Sequence, residues 1–227
     1  MIQPATDLNL VRLLQLASPA LPVGAYAYSQ GLEWAVAAGW VSDAASLAQW
    51  LDDQLRFSFG AVDVPIFARL YDAARTADDT AQLAWSRELI ARRETRELIV
   101  DDCDRGRALA KLLDELGVSA ARAWLTRGDT PFAALMAVAA AAWNIALAPA
   151  AQALAWSWLE SQVVAGVKLI PLGQMAGQQV LLDLAGRIPA MCEEALARSD
   201  DDIGGTLPIV AVASSLHETQ YTRLFRS

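Results

Sequence analysis

The residues best suited to chemistry lie at Asp101-Asp102-Cys103-Asp104. Adjacent aspartates on a helix can hold Mg²⁺ and clamp a diphosphate, as in all-α prenyl-transfer enzymes. A DDxxD motif of that kind requires an acid where Arg105 stands, and Asp200-Asp201-Asp202 reads as a loop. An acidic cluster on a helix surface is therefore the expectation, with a Mg²⁺-dependent all-α enzyme using Asp101, Asp102 and Asp104 as the alternative. His217 is the single histidine, and Cys103 and Cys192 lie far apart with no CxxC spacing. A metal site needs clustered ligands, so the chain is poorly equipped to hold nickel or zinc by itself, and no bound metal or cofactor is expected. His217-Glu218 lacks a second histidine four residues on. A Gly-x-Ser-x-Gly elbow, a Walker-type phosphate loop and a Gly-x-Gly-x-x-Gly fingerprint are also missing from the sequence.

Two other stretches carry more constraint than passive chain requires. Ser18 to Glu33 packs two prolines, two glycines and two tyrosines, Tyr26 and Tyr28, into one connection, which suits the presentation of side chains from a fixed backbone. The last eleven residues, from His217 to Ser227, are the other. A solvated terminus is ordinarily small and polar, yet Leu216, Tyr221, Leu224 and Phe225 form an apolar stripe here. If helical, Tyr221, Leu224 and Phe225 share a side, and Arg223 is a positive spot able to make bidentate contacts with a carboxylate.

The elements that position these residues read as helical throughout. The chain has 227 residues, 55% of them hydrophobic and 19% charged; much of the apolar share is alanine, which favours closely packed helices over a thick sheet core. No run of β-branched residues alternates with polar ones long enough to propose a strand. The expectation is an all-α, single-domain multi-helix bundle spanning 1–227, with a flexible C-terminal tail over 214–227. A net charge of −8 repels a phosphate backbone and argues against nucleic acid. The N-terminus has no basic leader, and the two cysteines suit a reducing compartment, so a cytoplasmic protein is expected.

Proline and glycine punctuate the pattern. Leu8–Leu16 stops at Ser18-Pro19, a short helix over Ser29–Ala38 is closed by Gly39, and Ser42 or Asp43 caps a third running to Phe57. Asp63 with Pro65 then starts another reaching Arg75. Asp79–Leu116 reads as one long charged pattern ended by Gly117, with Glu97 on a solvated face. Between Asp129 and Glu160 no charged residue occurs, longer than the ~20 apolar residues a membrane span needs. Asn144, Pro149 and Gln152 interrupt that run, which divides into two helices buried in a core or an oligomer interface, and no membrane insertion is expected. Gln174–Arg198 resumes a helical pattern with a kink at Pro189.

Four segments in order, LASPALPVGAYAYSQGLEWAV, RETREL, AGVKLIPLGQ and HETQYTRLFRS, resemble the UreF family of urease accessory proteins across essentially the whole chain. The resemblance implies an all-α protein that dimerises, binds UreD (also called UreH), and with it recruits the GTPase UreG, from which nickel passes to apo-urease. It implies a non-enzymatic adapter that couples GTP hydrolysis to nickel delivery without a nucleotide loop of its own. The partner-binding candidates are Tyr26, Tyr28, Glu33, Glu97, Lys168, His217, Tyr221 and Arg223. The tail is expected to order when UreD/UreH binds, and the uncharged helices between Thr130 and Leu159 to supply the surface of a homodimer.

Overall fold

The computed structural model of the chain describes residues 4–227, with side chains from Leu8 onward. Eleven α-helices and no strand occur among them. The centre is built on α7 (Phe132–Ala142), in which every residue from Phe132 to Ala140 is buried. Alanines let neighbouring backbones approach closely, so α4 (Val64–Arg75), α6 (Arg96–Glu115) and α8 (Leu147–Leu169) pack around it. The expectation that this uncharged stretch covers an oligomer surface is therefore corrected for α7: one chain suffices to bury it. Large apolar side chains remain open on α1 (Pro4–Ala17), where Leu8, Leu10, Val11 and Leu14 are each about half exposed or more. None of the described helices is long and apolar enough to cross a membrane.

Asp43 caps α3 (Ala44–Gln54), accepting the Ser46 N–H at 2.8 Å in a reciprocal box. The next helix was expected to begin afresh at Asp63, but the chain continues without a break through a π-helical segment, Leu55–Asp63, into α4. Pro65 explains the widening, since its ring and missing N–H disturb an ordinary α-turn. The Val64 N–H reaches back five residues to the Phe59 carbonyl. Asp63 consequently has helical backbone angles and caps nothing, leaving its carboxylate free to point into the interior.

The charged run over 79–116 is two helices, α5 (Asp79–Ala91) and α6, with Thr95 as the cap of the second. That break swings Arg93 toward the core. Gly117, at φ 82°, closes α6 as expected. Within α6, Gly106 abuts the Thr130 carbonyl oxygen, which would lie 1.8 Å from an added Cβ. Gly106→Ala is expected to cost about 3 kcal/mol, because the obstacle is backbone and cannot rotate away. Gly173→Ala, with open space around it, should change stability by less than about 0.5 kcal/mol. Urea denaturation of both variants checks the contrast.

The 174–198 pattern divides at Gly186 into α9 (Gln174–Ala185) and α10 (Ile188–Leu196), with Pro189 in the first turn of α10. Asp200–Asp202 forms a short 3-10 turn held by Arg69, whose Nε donates to Asp200 at 2.8 Å. Gly205 then passes against the π-segment, its position leaving no room for a side chain beside the Phe57 carbonyl. The chain emerges into α11 (Pro208–His217), which packs on α2 (Leu32–Ala37) and α6.

The tail expected to be free over 214–227 is docked here. Ser214, His217, Phe225 and Ser227 are buried, and residues beyond Thr219 form turns and extended chain, with no helix. The Arg226 N–H donates to the Ala27 carbonyl at 2.8 Å, and the Ser29 and Gln30 N–H groups donate to the Ser227 carbonyl at 2.6 and 3.1 Å. The physical reason is the set of main-chain and carboxylate partners waiting for it, which a stripe of apolar residues does not disclose.

Candidate partner-binding site

The connection between α1 and α2 bends through Gly24, Gln30 and Gly31, all at positive φ. Gly31 is needed twice over: its φ is 84°, and an added Cβ would meet the Ser214 backbone nitrogen at 2.9 Å. This close approach sets the first turn of α2 against the end of α11. Glu33, in that turn, is buried and receives three donors. Its Oε1 accepts the Leu224 N–H at 2.6 Å, and its Oε2 faces the Phe225 N–H at 2.8 Å and His217 Nε2 at 3.1 Å.

Glu97 completes the arrangement from the first turn of α6. One oxygen lies 2.7 Å from His217 Nδ1 and the other accepts from Arg223 at 2.9 Å. Its side chain is 12% exposed, so the solvated face expected for it is corrected: the break at Thr95 turns this end of α6 under the tail. With a carboxylate against each ring nitrogen, the imidazole links α2, α6 and α11. Charge-assisted bonds of this kind are about twice as strong as neutral ones.

Tyr28 and Lys168 flank the cluster. The Tyr28 hydroxyl donates to Asp104 Oδ2 at 3.0 Å; burial first, and the Asp104 carboxylate second, push its ionisation above the usual tyrosine range. The exposed Lys168, at the end of α8, places Nζ 5.8 Å from the centre of the Phe225 ring, within cation–π reach. Six of the eight candidates therefore surround one structure, the docked tail. Tyr26 and Tyr221 do not join it: Tyr26 is 70% exposed beside α8, and Tyr221 is fully exposed. A concavity of about 350 Å³ opens beside the clasp, bordered by Tyr28, Arg96, Val100, Glu218, Arg223 and Arg226.

The sequence matches the UreF family over residues 41–185. It is 50% identical over 222 residues to a urease accessory protein UreF of Pseudomonas putida, an alignment covering 98% of this chain and 99% of that protein. The chain belongs to the UreF family. Similar relatives are the urease accessory protein UreF of Alkalilimnicola ehrlichii, 49% identical with 95% of each chain covered. That of Klebsiella pneumoniae is 48% identical, covering 96% of this chain and 97% of that one. The near-full-length alignments extend well beyond the 41–185 match, and they place this protein in urease maturation.

The acidic run in this UreF-family chain is not the surface cluster expected. Asp101 and Asp102 are 1% and 2% exposed. Arg105 Nε contacts Asp101 at 2.5 Å, and Arg93 bridges Asp102 at 2.8 Å and Asp63 at 2.5 Å. The Asp102 carboxylate also caps α7, accepting the Phe132 N–H at 2.8 Å. Burial pushes the Asp101 carboxyl above the usual carboxylate range, against the opposing pull of Arg105 and Gln30. Asp104 points the other way, to Tyr28 and Arg107. The three acids proposed for Mg²⁺ thus diverge and are already matched by arginines, and among the described residues no group of three or more ligands is placed to hold a metal ion. Both cysteines are buried, with the Cys192 thiol pushed up to about 11 by burial, which makes it inert as a nucleophile at neutral pH.

Arg93, Asp63, Ser29 and Gln30 are not among the site residues read from the sequence, where Asp63 and Ser29 figure only as helix starts. Ser29 and Gln30 lie inside the constrained connection, whereas the Arg93–Asp63 pair spans 30 positions and has no local signature.

Proposed function

We propose that this chain is a non-catalytic adapter of urease maturation: it dimerises, binds UreD/UreH, and recruits the GTPase UreG to apo-urease in the cytoplasm, so that GTP hydrolysis is coupled to nickel insertion. Nickel is cargo in this reading. The observation that carries it is the full-length likeness to urease accessory proteins. The clasp on the tail supports a division of labour among the candidates. Glu33, Glu97, His217 and Tyr28 hold the tail in shape, while Arg223, Tyr221, Tyr26 and Lys168 offer exposed groups to partners, tyrosine and arginine being favoured interface anchors.

Co-expression with UreD, UreG and apo-urease tests the reading directly. The tagged chain should retain UreD alone and UreG only when UreD is present; retention of neither sinks it. Light scattering of the purified chain should give twice the monomer mass, and the open apolar face of α1 is the surface available for one such contact. Lys168→Ala should lower UreG recruitment or urease activation severalfold with the melting temperature within a degree or two, since an exposed cation–π contact contributes only about 0.5–1 kcal/mol. Full activation by a variant of lowered stability would remove Lys168 from the partner surface.

A further inference from the structure

Gln30 stands between two regions that the fold otherwise keeps apart. Its backbone N–H donates to the Ser227 carbonyl at 3.1 Å, beside the stronger bond from Ser29 at 2.6 Å. Its side chain runs inward. Nε2 donates to Asp101 Oδ2 at 2.6 Å, and Oε1 accepts the Trp158 indole N–H at 2.8 Å. These groups border a partly open cavity of about 80 Å³ that also meets Arg93, Asp102 and Arg105, polar and large enough for a few waters. The residue holds φ at 54°, in the left-handed region that a non-glycine residue occupies only when its surroundings fix it. Here the surroundings are the tail on one side and the cavity wall on the other.

We infer that Gln30 couples the tail to the charged cavity: docking of residues 224–227 and the seating of the Gln30 amide against Asp101 and Trp158 in the cavity wall are one conformational event. Release of the tail removes the acceptor of the Ser29 and Gln30 N–H groups. The 29–30 backbone then relaxes out of the left-handed region and withdraws the amide from Trp158 and Asp101. The cavity, with its paired arginines and aspartates, loses that part of its wall. Whatever partner displaces or stabilises the tail thereby changes the core of the bundle some distance from its own contact. Because such a coupling is reciprocal, disturbing the cavity end must loosen the tail.

The test uses the full chain and trypsin cleavage after Arg223, followed by intact mass. Trp158→Phe removes the indole N–H that fixes Gln30, together with ring area that packs on Phe59, and lies outside the tail. It should speed that cleavage about tenfold, within the usual range of coupling factors, while Glu33→Gln provides the directly released reference. Cleavage within about twofold of the parent in Trp158→Phe, with Glu33→Gln accelerated, overturns the inference. The reverse measurement covers the case in which Trp158→Phe loosens the whole fold and all arginine sites are cut together. Removing residues 224–227 should then speed hydrogen exchange of the Trp158 indole N–H, a resonance identified by its loss in Trp158→Phe, and unchanged protection there overturns the inference equally.

Discussion

Arg93→Ala is expected to destabilise the protein by about 3–5 kcal/mol, the range for stripping one partner from a buried charge network. Burial by itself would lower the Arg93 pKa, and the charges of Asp63 and Asp102 outweigh that and hold it above the usual arginine range. The two carboxylates are 6% and 3% exposed at the side chain. Asp102 keeps the Phe132 N–H, but among the described residues Arg93 is the one side-chain partner of Asp63. Removing the guanidinium leaves an uncompensated carboxylate whose side chain is only 6% exposed. Arg93→Lys should lose less, since the charge stays but one ammonium cannot span both acids with the same geometry. Arg93→Ala combined with Asp63→Ala should cost less than the sum of the two single changes. Urea midpoints read all three; additive losses, or a loss near 1 kcal/mol for Arg93→Ala, would show the network to be structurally idle.

The helices were legible because their signals are local. Asp43, Gly117 and Pro131 announce the starts and stops of α3, α6 and α7 where the structure has them, and alanine content announces close packing. The docking of the tail and the burial of the acidic run are not legible in the sequence because both depend on partners distant along the chain. Nothing local to Glu97 reports that His217, 120 positions away, will lie against it, and nothing local to Asp102 reports that it caps a helix 30 positions on. The run Asp79–Leu116 looked continuous since Thr95 is an ordinary residue until its hydroxyl caps a helix. The π-segment had one cue, Pro65, which was taken as the start of a helix because it is tolerated equally in a first turn and after a widened one. The resemblance carried further than periodicity did: Glu33, His217 and Arg223 fall in its quoted motifs, and the structure joins these through Glu97.

Glu33→Gln is expected to abolish urease activation while leaving the helical circular dichroism nearly unchanged. Three donors converge on the two oxygens of Glu33, from Leu224, Phe225 and His217. A glutamine offers one acceptor oxygen, and its amide nitrogen, placed at the other position, confronts the Phe225 N–H with a second donor. The loss of these charge-assisted bonds is about 1.5–3 kcal/mol for the clasp, enough to free a terminal segment that adds little to the core but not to unfold a bundle of this size. Removing Tyr221–Ser227 takes the same consequence to its limit, exposing Glu33 and the His217 ring and deleting Tyr221 and Arg223 as partner contacts. Both variants should fail to retain UreD and to support nickel insertion in a co-expression assay, whereas Arg223→Ala, which keeps the backbone bonds to Glu33, should retain UreD and lose mainly UreG. A truncated chain that still joins UreD and activates urease fully would show that the docked tail serves folding alone. Loss of UreG without loss of UreD in Glu33→Gln would instead place the clasp on the GTPase side of the complex, because the two partners would then be reading different faces of the same segment.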